Sequence, residues 1–139
     1  MRVLVDTNII LDFLLEREPF LHDAELLFQA IASRQILGYA TATTLTDIFY
    51  IARRHTQNIE CARQAVAITL AAIENCAVDR SVLEIALASA TSDFEDAVQI
   101  ACALVYGLDA IVTRDADFFT ASVPVLSINQ VLQQLGTIE

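Results

Sequence analysis

Five aspartates, Asp6, Asp47, Asp93, Asp96 and Asp115, lie so far apart along the chain that only a fold could gather them, and each stands near the start or end of an apolar run. Asp6 closes the run Val3, Leu4, Val5 and is followed at once by Thr7 and Asn8. Asp47 sits within TLTDIFYI, Asp93 and Asp96 within DFEDAVQIACA, and Asp115 follows IVTR. Carboxylates sharing one rim cannot all stay ionised without cations, because like charges a few Å apart raise one another's pKa. Hard oxygen donors with no His or Cys cluster nearby suit Mg²⁺ or Mn²⁺, ions that keep several waters and accept phosphate oxygens. One such ion can generate hydroxide and polarise phosphorus, and a second, about 3.5–4 Å away, can stabilise the leaving oxygen. The chemistry this implies is metal-assisted hydrolysis of a phosphodiester.

The elements that must position these acids are legible in the apolar pattern. Val3–Val5 has no polar alternation and reads as a strand covered on both faces, as in a parallel sheet. Helical spacing follows in Ile9–Leu15 and again over residues 20–33, with Leu21, Ala24, Leu27, Phe28 and Ile31 on one face. YATA predicts a second strand and TLTDIFYIARRH a helix. Asn58 is placed to cap ECARQAVAITLAAIE, and CAVD predicts a short third strand. Ser81 opens the helix VLEIALASA, Ser92 or Asp93 opens EDAVQIACALVYG, and Gly107 is a C-cap. DAIVT and VPVLS are the fourth and fifth strands, and Ser127 caps INQVLQQL. Strands alternating with helices predict one parallel sheet with helices on both faces. In such a sheet every strand C-terminus lies at one edge, so the acids converge there. If the fourth strand returns beside the first, the cleft opens between Asp6 and Asp115.

Composition narrows the chemistry. The chain has 139 residues, 55% of them hydrophobic, which fits a single domain, residues 1–139. No apolar stretch approaches the ~18 residues of a membrane span, and no signal peptide is expected, so the expected location is cytoplasmic. Net charge is −10, and all eight cations are arginines. Without lysine, P-loop and Schiff-base chemistry are excluded. An acidic chain also lacks a broad basic surface for nonspecific nucleic-acid binding, so metal ions or a basic partner must supply positive charge if a polyanion is handled. Cys61, Cys76 and Cys102 are widely spaced and read as core thiols.

Each acid also has a plainer explanation. Asp6 is a good N-cap, and Asp47 can simply favour a helix dipole with Thr44 as cap. Ser92 and Glu95 match a capping box, while Asp93 is itself a plausible cap. Asp96, one turn into its helix, is harder to explain that way. Asp117 can open a turn ahead of Phe118 and Phe119. Arg114 could meet a scissile phosphate or be a surface arginine. Arg53 and Arg54, late in the helix of Asp47, favour its dipole, and Phe49 and Tyr50 read as packing residues.

In this order and spacing, VDTNIILD, TLTDIFYI, DFEDAVQIACA and IVTRDADF resemble the PIN domain family, which includes the VapC-type toxins of toxin–antitoxin pairs. The resemblance spans essentially the whole chain. It implies a three-layer α/β/α fold with a five-stranded parallel sheet in the order 3-2-1-4-5, three or four acids binding Mg²⁺ or Mn²⁺, and endoribonuclease activity on single-stranded or structured RNA. Asp6, Asp47, Asp96 and Asp115 match the catalytic, metal-binding acids. Thr7, Asn8 and Thr113 match supporting polar residues. Many relatives have Glu where this chain has Asp47, and the shorter arm leaves two modes open, direct ligation or ligation through water; Asp93, one turn from Asp96, is an auxiliary acid that can compensate. A homodimer pooling two clefts and a separate antitoxin are further implications; the apolar stripe of residues 59–73 reads as core, with part of it open to a dimer interface or an antitoxin groove.

Other classes are weighed against these residues. A receiver domain or an aspartate-nucleophile phosphatase also ends its first strand in Asp, but both use a lysine, and the phosphatase wants an acid where Asn8 stands. A noncatalytic module holding a basic antitoxin peptide or RNA stays open, as does DNA in place of RNA, since carboxylate–metal chemistry does not choose the sugar.

Overall fold

The computed structural model describes residues 1–136. Five parallel strands, β1 (Arg2–Val5), β2 (Leu37–Thr41), β3 (Glu74–Cys76), β4 (Ala110–Val112) and β5 (Val125–Leu126), form one sheet in the order β3-β2-β1-β4-β5. Seven helices cover it: α1 (Thr7–Leu14), α2 (Leu21–Ala32), α3 (Ala42–Thr56), α4 (Ile59–Ala72), α5 (Arg80–Ala88), α6 (Phe94–Val105) and α7 (Ile128–Gly136). This is the three-layer architecture and strand order that the resemblance implies. None of these helices is long and apolar enough to cross a membrane.

The pleat of β1 explains the two cores. Val3 and Val5 point into a cluster with Ile9, Ile10 and Leu11 of α1 and the apolar faces of α2, α3, α4 and α7. Leu4 points the other way, into a cluster with Val82 and Ala86 of α5 and the buried face of α6. Each fully buried Ile or Leu stabilises the fold by about 1.5–3 kcal/mol. Gly38 lets α2 lie close to β2, since a Cβ there would stand 2.9 Å from Ile31 Cδ1.

Caps decide several boundaries. Asn58 caps α4 through Glu60 N and Cys61 N, and Ser127 Oγ accepts from Gln130 N at 3.2 Å, as the sequence predicts. Gly107 follows the end of α6 with φ +64°, the left-handed geometry that glycine adopts at least cost. The third strand is Glu74–Cys76 rather than CAVD, because α4 stops at Ala72 and Asp79 turns away to cap α5, accepting from Val82 N at 3.0 Å. Helix α3 starts at Ala42 with Thr41, not Thr44, as its cap, so Asp47 lies in the second turn, beyond the reach of the dipole explanation.

Candidate functional site

The two central strands, β1 and β4, end side by side: Val5 pairs with Val112, and Asp6 N donates to Val112 O at 3.0 Å. Asp6 is the N-cap of α1, and only 7% of its surface is exposed. Its Oδ1 accepts from Thr7 N at 2.8 Å and from Gln99 Nε2 at 3.1 Å, and its Oδ2 accepts from Thr113 Oγ1 at 2.8 Å. The capping role and the site role therefore fall on one carboxylate, held in a single rotamer by three donors. The same Thr113 hydroxyl accepts from Asp115 N at 3.0 Å, so one oxygen joins the strand that ends in Asp6 to the loop that carries Asp115.

Hydroxyls tie α3 to this edge. Thr7 Oγ1 and Thr44 Oγ1 are 2.9 Å apart, and Thr41 Oγ1 donates to Thr44 Oγ1 at 3.1 Å. Asp47 lies three residues beyond Thr44, on the same helix face. Asn8 is drawn elsewhere: its Oδ1 accepts from Arg17 Nη2 at 3.3 Å.

On α6, Asp93 is the cap, accepting from Asp96 N at 3.1 Å. The Ser92–Glu95 capping box does not form. Glu95 instead shares a hydrogen bond with Asp47. That bond, with burial and the charges of Asp47, Asp93 and Asp6, pushes the Glu95 carboxyl up to about 7. Asp96 is pushed up to about 6, first by burial and then by the charges of Asp93, Asp6 and Asp115. The five aspartates singled out from the sequence thus share one electrostatic neighbourhood, and Glu95 is a sixth acid that sequence reasoning took for a capping residue. Its signal was position: it stands beside Asp96 in the first turn of a helix that faces Asp47.

A cavity of about 880 Å³ is lined by Asp93, Asp96, Asp115 and Asp117 together with Ile100 and Phe119. Asp117 also shapes the turn, since its N–H donates to Asp115 Oδ1 at 2.9 Å. Phe119 is 78% exposed. Arg53 and Arg54 occupy the last turn of α3, as the dipole argument expects; Phe49 packs on the core and Tyr50 is exposed.

Two residues near the cleft were not anticipated. Gln99, buried in α6, donates to Asp6 while its Oε1 has no hydrogen-bond partner among the described residues. Asp12, buried in α1, accepts from both Arg17 and Arg114. An acid on the apolar face of LDFL was the available signal for the second.

Among the described residues, no three His, Cys, Asp or Glu side chains already surround a common metal position. The donor chemistry nevertheless fits a hard divalent cation. The surrounding carboxylates help raise the pKa of Glu95 and Asp96, the condition a cation relieves, and Gln99 Oε1 is a buried acceptor beside Asp6, a state that costs about 1–3 kcal/mol until a water or other donor meets it. Asp6, Asp47, Asp96 and Asp115 are the oxygen donors that would hold such an ion.

A family model described as a PIN domain matches residues 2–117. No curated protein matches the chain. Among solved structures, VapC20 of Mycobacterium tuberculosis, described as a sarcin-ricin loop cleaving toxin, superposes with a TM-score of 0.68 at 19% identity, covering 88% of this chain and 98% of that one. A chain of a toxin–antitoxin complex from Klebsiella pneumoniae gives a TM-score of 0.67 at 20% identity, with 91% and 97% covered. A chain of VapBC-1 from nontypeable Haemophilus influenzae gives 0.64 at 15%, with 93% and 99% covered. At these identities the likeness is one of fold.

Proposed function

The chain belongs to the PIN domain family, and from that premise we propose that it is a Mg²⁺- or Mn²⁺-dependent endoribonuclease working through Asp6, Asp47, Asp96 and Asp115. The observation that supports this most is the gathering of carboxylates from the end of β1, α3, α6 and the loop after β4 within one electrostatic neighbourhood, where the charges of Asp6, Asp47, Asp93 and Asp115 help push the Glu95 and Asp96 carboxyls up to about 7 and about 6. A bound divalent ion would supply water activation and polarisation of the phosphodiester.

The protein's own groups have separable tasks. Thr113 and Gln99 fix the Asp6 carboxylate, and Thr113 sets the loop of Asp115 at the same time. Asp93 holds the first turn of α6 and so the position of Asp96, which makes it an auxiliary residue. Glu95 holds a proton against Asp47, and a bound cation would supply the positive charge that the proton supplies there. That extra acid compensates for the short arm of Asp47. Thr7 braces α1 against α3.

The proposed substrate is RNA, single-stranded or structured. Solved neighbours described as toxin–antitoxin complexes support the further proposals of a separate antitoxin chain and a toxin role, carried out as a homodimer in the cytoplasm. A noncatalytic module that holds a basic peptide or RNA is the second reading, favoured by the lack of three ready-gathered metal ligands among the described residues. The deciding experiment incubates wild type and Asp96→Asn with a panel of RNAs, with and without Mn²⁺. Cleavage by wild type alone and only with Mn²⁺ is expected. Silence from a folded wild type that binds Mn²⁺ would favour the binding module, and equal cleavage by both proteins would refute the assignment of Asp96.

A further inference from the structure

Asp12 is more deeply buried than Asp6, and it accepts from two arginines. Arg114 forks onto it, Nε to Oδ2 at 2.7 Å and Nη2 to Oδ1 at 3.2 Å, while Arg17 Nε reaches Oδ1 at 2.9 Å. The guanidinium of Arg114 also stacks on Phe20, its central carbon 3.8 Å from the ring centroid. Two cations on one anion leave a positive charge over. Both arginine side chains remain about a third exposed, at 30% and 35%, and Nη1 of Arg114 makes no hydrogen bond among the described residues. In a chain of net charge −10, a rigid guanidinium with one open edge beside an acidic cleft is a distinctive feature.

Its location is equally specific. Arg114 and Asp115 line one cavity of about 690 Å³, while Asp93, Asp96 and Asp115 line the neighbouring one. Arg114 therefore opens into the cavity that adjoins the acids of α6, with Asp115 shared between the two.

We propose that Arg114 binds the phosphate of a nucleotide flanking the cleaved bond, and that Asp12 is the positioning residue that holds its guanidinium open to the strand. The inference rests on the ribonuclease reading but concerns strand binding, which can be measured without cleavage. A planar fork fixed by a buried carboxylate and an aromatic face loses little freedom on meeting a phosphate.

The test measures anisotropy of a short fluorescein-labelled single-stranded RNA of mixed sequence, on an Asp96→Asn background that spares the RNA, across a salt series. Adding Arg114→Ala should weaken binding about tenfold, the scale of one charge-assisted contact, and flatten the salt slope by about one, whereas Asp12→Asn, which unfixes the guanidinium but removes no cation, should weaken binding with the slope kept. Combining them should be no worse than Arg114→Ala alone. In the otherwise wild-type enzyme, the same changes should raise KM and leave kcat within about twofold. Unchanged affinity and salt slope in Arg114→Ala, or multiplying losses in the double variant, would overturn the proposal. If Asp12→Asn fails to fold, Arg114→Lys decides: it keeps the charge and loses the fork, so wild-type affinity would overturn a fixed guanidinium. If wild type cuts no RNA while Arg114→Ala still loses binding, the nuclease reading fails and the phosphate site stands.

Discussion

Replacing Asp96 with Asn should stabilise the metal-free protein, although it removes a residue on which the proposed chemistry depends. Burial and the charges of Asp93, Asp6 and Asp115 raise the Asp96 carboxyl from 3.8 to about 6 in the folded chain. A group whose folded pKa is raised gives its full contribution below the unfolded value, near pH 4, and loses it as pH climbs through about 6. At pH 7.5 the ionised carboxylate is therefore a liability. A rise of that size corresponds to about 3 kcal/mol for a fully shielded group, but Asp96 is only half-buried, and solvent screening reduces the realised penalty to about 1 kcal/mol. Its carboxylate makes no hydrogen bond among the described residues, so the amide forfeits none. Urea unfolding in EDTA should show Asp96→Asn more stable by about 1 kcal/mol at pH 7.5, a rise of about 3 °C in Tm. The gain should vanish by pH 4. Saturating Mn²⁺ at pH 7.5 should reverse the order, because it binds the wild-type cluster more tightly. A variant that is less stable than wild type at pH 7.5, or a gain that persists at pH 4, would refute the claim that charge repulsion is stored at this residue.

Three further outcomes follow from contacts in the same molecule. Thr113→Val removes the hydroxyl that donates to buried Asp6 and accepts from Asp115 N, and should cost about 2–3 kcal/mol in urea unfolding; a loss under about 0.5 kcal/mol would mean that water replaces it freely. Asp79→Ala should lower stability by about 1 kcal/mol through loss of the α5 cap, with Mn²⁺ affinity by calorimetry unchanged. Cys61 is exposed, whereas burial pushes the Cys76 and Cys102 thiols up to about 12 and about 11, so iodoacetamide at pH 8 should label Cys61 alone until the chain unfolds.

The fold was largely readable because its signals are periodic. Val3–Val5 has no polar alternation, and Asn58, Gly107 and Ser127 mark helix ends by their own chemistry. The convergence of Asp6, Asp47, Asp96 and Asp115 followed from topology alone, since a parallel sheet puts every strand's C-terminal end on one side. Reading failed where a short polar side chain had two uses. Asp79 looked like the end of a strand and is a cap; Glu95 looked like a cap and is Asp47's partner. The long-range contacts of Asp12 and Gln99 were out of reach for another reason. Arg114 lies 102 residues from Asp12 and Asp6 lies 93 from Gln99, and no local pattern encodes a contact of that range.

The joint at Thr113 has a consequence in time as well as in space. Asp6 and Thr113 are 107 residues apart, and Asp115 is synthesised later still. Strands β1 and β2 can pair early during synthesis, but the acidic cleft stays half-built until β4, which follows β1 by about a hundred residues, slots in beside it. Until that docking, Asp6 lacks its Thr113 donor and Asp115 N lacks its acceptor, so the two ends of the rim are set by one late event.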